Sequence, residues 1–468
     1  MPSRCLNLRS LDLCYSKLRS LDIELTPNLE RLDLKDCLNL TEINAPVGCL
    51  KKLVYLNLSG CGRFKSFLFD KQSKLLEVGS LSELHLIAES KDTSPFDTII
   101  KDLSNCLFTC FYKEDPAASS FGNLEKLIFI GMRACTNLES FSRSIFSLNF
   151  LRKLTVEGII VKVPRDLHRL EYLEELVLSN TKIKVLPNSV CKLKQLKSLK
   201  LHGRDLKSLP KDFGQLEYLE QLNLSGRSIE HLPDSLCMLK ELKVLNLESC
   251  HNLRNLPSNF HLLESLEELS MSTINMKNFP RSVCLLKQLK SLKLRVLQRR
   301  VIEKLPKVLG QLICLEELSL SPINERIPCD QLLLDSICML EHLKSLELSN
   351  FEFGKAPVDI WRLKRLEKLI FNSATLKDIS NGICEMKHLK QLCFWYCDKL
   401  EKLPDEIGCL ECLEELDFTG TYLHHLPYSI FQLKGLRIIG PKQTLELCEL
   451  TPLIPSRDDY DSFCYTIV

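Results

Sequence analysis

The sequence predicts an α/β solenoid: a stack of short parallel strands, each returning through a helical or 3₁₀ turn. Three observations predict it. The pattern L-x-x-L-x-L recurs along most of the 468 residues. From Leu173 to Leu289 it restarts at Leu196, Leu219, Leu242 and Leu266, at steps of 23 or 24 residues. A Leu-Pro pair follows the pattern at nearly the same distance in most later copies, as at Leu186-Pro187, Leu209-Pro210, Leu232-Pro233 and Leu403-Pro404.

Each element has a physical reason. In a strand, alternate side chains point to opposite faces. Leucines at template positions four and six therefore share one face, and position one joins them. One unit cannot cover that apolar face, so units must stack and cover each other. The return segment is wider than the ~4.8 Å strand spacing, so the stack is expected to curve with its strands on the concave side. Proline after leucine fixes an extended start to the return path. This is the pattern of a leucine-rich-repeat solenoid over residues 1–440, with about 18–19 repeats, irregular around 87–123.

The copies begin at Leu8, Leu29, Leu53, Leu81, Leu124 (Phe129 in position six) and Leu151 (Val156 in position six). They continue from Leu173 through Leu315, Leu343, Leu366, Leu389 and Leu413, with a degraded copy at Leu436. Leu103, Cys106 and Phe108 give a faint extra copy inside the widest gap. Residues 441–468 read as a poorly ordered tail.

A second period lies over the first. Position two alternates in sign: Glu125, Arg152, Glu174, Lys197, Glu220, Lys243, Glu267, Lys290, Glu316, Lys344, Glu367, Lys390, Glu414 and Arg437. Adjacent strands would set each Glu between two bases. Such exposed pairs are individually weak, so the ladder specifies register more than it stabilises. Duplication of a two-repeat unit explains the same pattern. Cys191, Cys237, Cys284 and Cys384 recur in one slot of alternate units, which agrees with duplication.

Composition narrows the function. There are 62 basic and 60 acidic residues, for a formal net charge of +2, which supplies no overall pull toward nucleic acid. No stretch has the apolar length of a membrane span. The N-terminal MPSRCLNLRSLDL lacks the apolar core of a secretory leader, so the 22 cysteines are expected reduced, in the cytoplasm or nucleus. Cys409 and Cys412 form a lone C-x-x-C; His424 and His425 follow without zinc spacing. No metal or cofactor is expected. No phosphate loop or nucleophile motif occurs, so neither nucleotide binding nor catalysis is expected.

The strings LERLDLKDCLNLTEI (from Leu29), LVYLNLSGCGRF (from Leu53) and LKVLNLESCHNLRNLP (from Leu242) carry a resemblance. They resemble the repeat region of plant intracellular immune receptors, most of all the class with a Toll/interleukin-1-receptor domain and a nucleotide-binding domain. Cys or Thr fills the slot after the strand at Cys37, Cys61, Thr181, Cys250, Cys397 and Thr421. A small polar group there can hydrogen-bond the turn's backbone. The resemblance implies a non-enzymatic recognition and autoinhibition module for disease resistance. Its partner would be a pathogen effector, a guarded host protein, or an upstream nucleotide-binding domain. The regular 23-residue, proline-containing copies also resemble intracellular Ras-group repeat scaffolds, the alternative reading. An enzyme is the third.

The concave face supplies the candidate binding residues. Trp395 falls in outward position seven and Tyr396 in position eight, where other units carry Ser179-Asn180, Ser349-Asn350 or Thr419-Gly420. Ile370 and Cys393, in position five, would make an apolar neighbourhood. Large rigid aromatics dominate interface energies. Arg295, Lys293, His202 and Lys200 are further candidates as single charges or polar groups on the same face.

Overall fold

In the computed structural model the described repeats open on a strand, and from Glu175 onward most return through a short 3₁₀ turn, as the leucine spacing requires. The structure describes residues 5–44, 52–59, 61, 63, 66–68, 83–88, 129–134, 151–158, 161–163, 165–272, 276, 279–296, 299–305, 309–322, 326–353, 360–447, 454–455 and 462–467. It divides into two compact units, Met1–Leu242 and Lys243–Val468.

In the first unit, strands Ser10–Asp12, Arg31–Asp33, Tyr55–Ser59, Glu83–Ala88, Phe129–Ala134, Lys153–Gly158, Glu175–Thr181, Ser198–Gly203 and Gln221–Ser225 pair in parallel in that order. Template position four forms one row: Leu11, Leu32, Leu56, Leu84, Ile130, Leu154, Leu176, Leu199 and Leu222. A small second sheet joins Ser20–Asp22, Glu42–Asn44 and Ser66–Leu68.

The register corrects one reading. Ile130 and Met132 stand opposite Leu154 and Val156, so they fill positions four and six, and Phe129 falls in position three rather than six. Glu125 itself lies outside the described residues. Strands Glu83–Ala88 and Phe129–Ala134 are direct neighbours, which leaves no sheet position between them for the faint extra copy. Leu103, Cys106 and Phe108 themselves lie outside the described residues.

In the second unit the same row runs Leu245, Leu269, Leu292, Leu318, Leu346, Leu369, Leu392, Leu416 and Ile438. Position six changes from leucine to Phe371, Phe394 and Phe418, all fully buried. Phe371 stacks on Phe394 at 5.9 Å and meets Phe353 edge-on at 5.6 Å. Gly440 follows from this spine, because a Cβ there would lie 2.1 Å from Phe418 Cε2.

The expected Leu-Pro start is present. Pro187, Pro233 and Pro427 are extended and immediately precede 3₁₀ turns, and Pro280, after Phe279, does the same. The two-repeat period appears here too. Asn188–Lys192 and Asp234–Met238 are five-residue turns, while Phe213–Gln215 and Phe260–Leu262, in the alternate repeats, have three residues. Gly214 N–H donates to Ser235 Oγ at 3.3 Å, and Gly408 N–H to Ser429 Oγ at 3.0 Å. A Cβ at either glycine would approach the next repeat's carbonyl to 2.1 Å, so those slots stay small.

The sign-alternating ladder forms ion pairs with a direction. Lys197, Lys290, Lys344 and Lys390 each reach back to the preceding Glu174, Glu267, Glu316 and Glu367, at 2.8–3.0 Å. Arg152 also touches Glu174, at 3.5 Å. The last step departs from expectation. The chain is one residue shorter after Leu436, so Arg437 takes position three, opposite Glu415 and 3.5 Å from its carboxylate. The hydrogen bond from Lys344 holds Glu316 below the ordinary 4.5, and Lys390 does the same for Glu367. A carboxyl depressed in the folded state contributes stability above its unfolded value and loses it as pH falls through its folded value. Stability should therefore fall from about pH 4.5 downward. Lys344→Glu should flatten that acid limb and lower the denaturation midpoint at low salt, with the second effect shrinking in high salt. A midpoint independent of both salt and residue 344 would show that the pairs do not form in solution.

The tail does not match its reading as loose chain. Ser462–Thr466 pairs antiparallel with Arg437–Pro441, and Ile454–Pro455 pairs with it in turn. Gly435 N–H donates to the Ile467 carbonyl at 2.8 Å, and Ile467 N–H to that of Leu436 at 2.9 Å. An open final strand would present unpaired backbone groups, and this antiparallel segment covers them.

Candidate functional site

Position eight is where the chain leaves each strand. It is left-handed at Tyr15, Asp36, Asn180, Asn350, Ser373, Tyr396 and Gly420, with φ between 52° and 71°. Asn, Asp and Gly tolerate that conformation; a bulky residue adopts it at a cost. Tyr396 holds φ 53° even so. Its N–H donates to the Thr419 carbonyl at 2.8 Å. Its ring lies over Gly420, where a Cβ would come within 2.4 Å of Cδ1. Half of Tyr396, 51%, stays exposed.

Trp395 stands opposite Asn372 on the sheet's outward face and is half-buried. On the opposite, inward face of the sheet Phe394 stacks on Phe371. The structure places Ile370 and Trp395 on adjacent strands, with Tyr396 just after the second, but it corrects Ile370 as an accessible binding residue: Ile370 is only 4% exposed and Cys393 is fully buried. Burial also pushes the Cys393 thiol up, helped by the charges of Asp417 and Glu415.

An ion pair that the sequence does not announce lies at the same end of the strands. Arg326 Nη1 lies 3.2 Å from Asp398 Oδ1, although 72 residues separate them. No repeat pattern signals it, because Arg326 belongs to an enlarged return segment that also carries the helix Gln331–Cys338.

The other candidates fall into two groups. In the first unit, Lys200 pairs with Glu175 at 3.4 Å, and His202 Nδ1 lies 3.2 Å from Ser179 Oγ. Glu175 also takes Lys153 at 2.8 Å. Burial raises the Glu175 pKa, but the hydrogen bonds and charges of Lys153 and Lys200 outweigh it and leave the group depressed. In the second unit, Lys293 and Arg295 are exposed neighbours on one strand.

The slot after the strand does what its chemistry suggests. Cys37 Sγ–H donates to the Leu13 carbonyl at 3.0 Å, Cys61 to Leu34 at 3.0 Å and Cys397 to Phe371 at 3.5 Å. All three acceptors are position-six carbonyls of the preceding repeat. Thr421 Oγ1–H donates instead to its own Phe418, at 2.9 Å. Burial pushes Cys61 and Cys397 up to about 12, and Cys191, Cys237, Cys284 and Cys384 up to about 11. Thiolates do the reacting. Site-resolved alkylation at neutral pH should therefore mark exposed Cys5, Cys314, Cys409 and Cys412 at least about tenfold faster than those six. Equal rates would contradict this burial.

Among the described residues, no His, Cys, Asp and Glu cluster is placed to hold a metal. No described helix is long and apolar enough to cross a membrane.

Comparison with known proteins agrees with the repeat. Residues 193–320 match the family model described as a leucine-rich repeat region. TMV resistance protein N of Nicotiana glutinosa is 28% identical over 184 residues, which cover 37% of this chain and 15% of that protein. A volume-regulated anion channel subunit of Rattus norvegicus is 31% identical over 106 residues, 22% of this chain and 12% of that one. The chain thus matches less than a sixth of the length of either relative. A leucine-rich-repeat protein of Leptospira interrogans shares the fold, with a TM-score of 0.53 at 23% identity, over 86% of this chain and 96% of that one. The strand register, the return turns and these likenesses show that the chain has a leucine-rich-repeat solenoid fold.

Proposed function

We propose that the chain is a non-enzymatic protein-binding scaffold, and that it serves as the recognition and autoinhibition module of a plant disease-resistance receptor. Its ligand on this reading is a pathogen effector, a guarded host protein or a partner nucleotide-binding domain, met in the cytoplasm or nucleus. The observation that carries the binding role is Tyr396. A half-exposed aromatic keeps a left-handed backbone that glycine or asparagine would adopt more cheaply, and such strain gathers at functional sites. The likeness to TMV resistance protein N supports the narrower reading.

Affinity capture tests it, comparing the full chain with the double variant Trp395→Ala, Tyr396→Ala. Proteins held by the former and lost from the latter support a binding face here. Identical captures from both would reject it. The receptor reading further expects direct binding to a nucleotide-binding domain of that class, and failure to bind one leaves only the general scaffold.

A further inference from the structure

Lys293 and Arg295 occupy outward positions five and seven of the strand Ser291–Val296. Register sets Ser270 and Ser319 on either side of Lys293, and Ser272 and Ser321 on either side of Arg295. Neither cation has an ion pair or hydrogen bond among the described residues. That differs from Lys153, Lys200 and Arg437, each of which meets a carboxylate.

The nearby acids are occupied or set back. Glu317 accepts from Ser291 Oγ at 3.1 Å. Glu347 accepts from Ser319 Oγ at 3.1 Å and Ser349 Oγ at 3.0 Å. Glu268 sits in position three, one row back from Lys293 and two from Arg295. Row seven itself reads Ser272, Arg295, Ser321, Ser349, Asn372 and Trp395, with a cation and no carboxylate.

Ser272 supplies the second observation. It is 1% exposed, yet its Oγ makes no hydrogen bond among the described residues. An unsatisfied buried hydroxyl costs free energy, and this one stands directly opposite Arg295. A guanidinium, an ammonium and a free hydroxyl on one face form a donor set without an acceptor. We propose that Lys293, Arg295 and Ser272 bind an anionic group, a carboxylate or phosphate, on a peptide segment of the protein ligand. This rests on the protein-binding reading above. Row seven then sets the ligand's length. Four strand steps from Arg295 to Trp395 span about 19 Å, which an extended peptide crosses in about six residues. The anionic group and an apolar or aromatic side chain should therefore stand about six residues apart.

The test uses the full chain and fluorescein-labelled hexapeptides read by anisotropy. The probes are hexaglutamate, a phosphoserine-containing hexapeptide, hexaglutamine and a six-nucleotide oligothymidylate. We expect at least one anionic peptide to bind in a salt-dependent way and hexaglutamine not to bind; comparing the two peptides tells carboxylate from phosphate. The double variant Lys293→Glu, Arg295→Glu should weaken binding by at least about tenfold with an unchanged melting temperature. Ser272→Ala should weaken it by about two- to fivefold while leaving melting unchanged or raised, since its hydroxyl is unsatisfied. Trp395→Ala should leave these short anionic probes bound as tightly as before. No binding by either peptide, equal binding by the charge-reversed chain, loss with Trp395→Ala, or preference for the oligothymidylate would each overturn the site. If the protein-binding reading alone fails, anionic peptides still bind here while capture shows no dependence on Trp395 and Tyr396.

Discussion

Phe394→Ala is expected to destabilise the Lys243–Val468 unit by about 3–5 kcal/mol, the usual cost of emptying a buried phenylalanine site. Phe394 is fully buried and stacks on Phe371, which also meets Phe353. Its neighbours belong to successive repeats, so the hole opens between repeats and cannot close by shifting one of them. Phe394→Leu restores the residue used at position six in most repeats and should cost less than about 1.5 kcal/mol. Denaturant unfolding can be followed by fluorescence, because Trp395 is one of only two tryptophans. Repeats in a solenoid touch only their neighbours. Hydrogen exchange across residues 175–225 should therefore stay slow in Phe394→Ala while residues 368–417 accelerate. A cost below about 1 kcal/mol would mean the phenylalanines are loosely packed.

The fold was legible because three leucines per repeat have no alternative use. Their spacing names the face they share, and stacking is the remaining way to bury it. The register was less legible where several apolar residues compete. Around 124–132 the string LEKLIFIGM allows the template to start at Leu124 or Leu127, and only the neighbouring strand selects Ile130 and Met132. The C-terminal cap was illegible for a related reason. Ser462–Thr466 pairs with a strand more than twenty residues earlier, in the opposite direction, and carries no leucine template.

The candidate site was legible in outline only. Periodicity placed Trp395 and Tyr396 on the outward face, and likewise Lys293 and Arg295. It could not show that Ile370 is covered, that Lys200 is held by Glu175, or that Ser272 lacks a partner among the described residues, because those facts depend on neighbouring side chains. The left-handed conformation of position eight was within reach of the sequence. Asn180, Asn350 and Gly420 fill it with the residue types that favour such backbone, and Tyr396, with Tyr15 and Ser373, departs from that preference.

That departure makes Tyr396 the place where stability and binding should move in opposite directions. Tyr396→Asn puts a residue suited to φ 53° at this corner. Left-handed backbone costs most residues about 1–2 kcal/mol, so the variant recovers part of that. It also gives up the ring's contact with Gly420, which is partial because half the side chain is exposed. The net expectation is a chain as stable as the parent or more stable by up to about 1 kcal/mol. Binding should change the other way. The double variant Trp395→Ala, Tyr396→Ala should lose more than about 2 kcal/mol of affinity for a captured partner, the range of a central aromatic anchor. Tyr396→Asn alone should lose part of it. Denaturant midpoints and titration calorimetry on the same preparations separate the two effects. If Tyr396→Asn is clearly destabilising and leaves affinity intact, the tyrosine is a packing residue whose ring secures the turn over Gly420. If it is neutral or stabilising and weakens the partner, the strain at position eight serves the recognition surface.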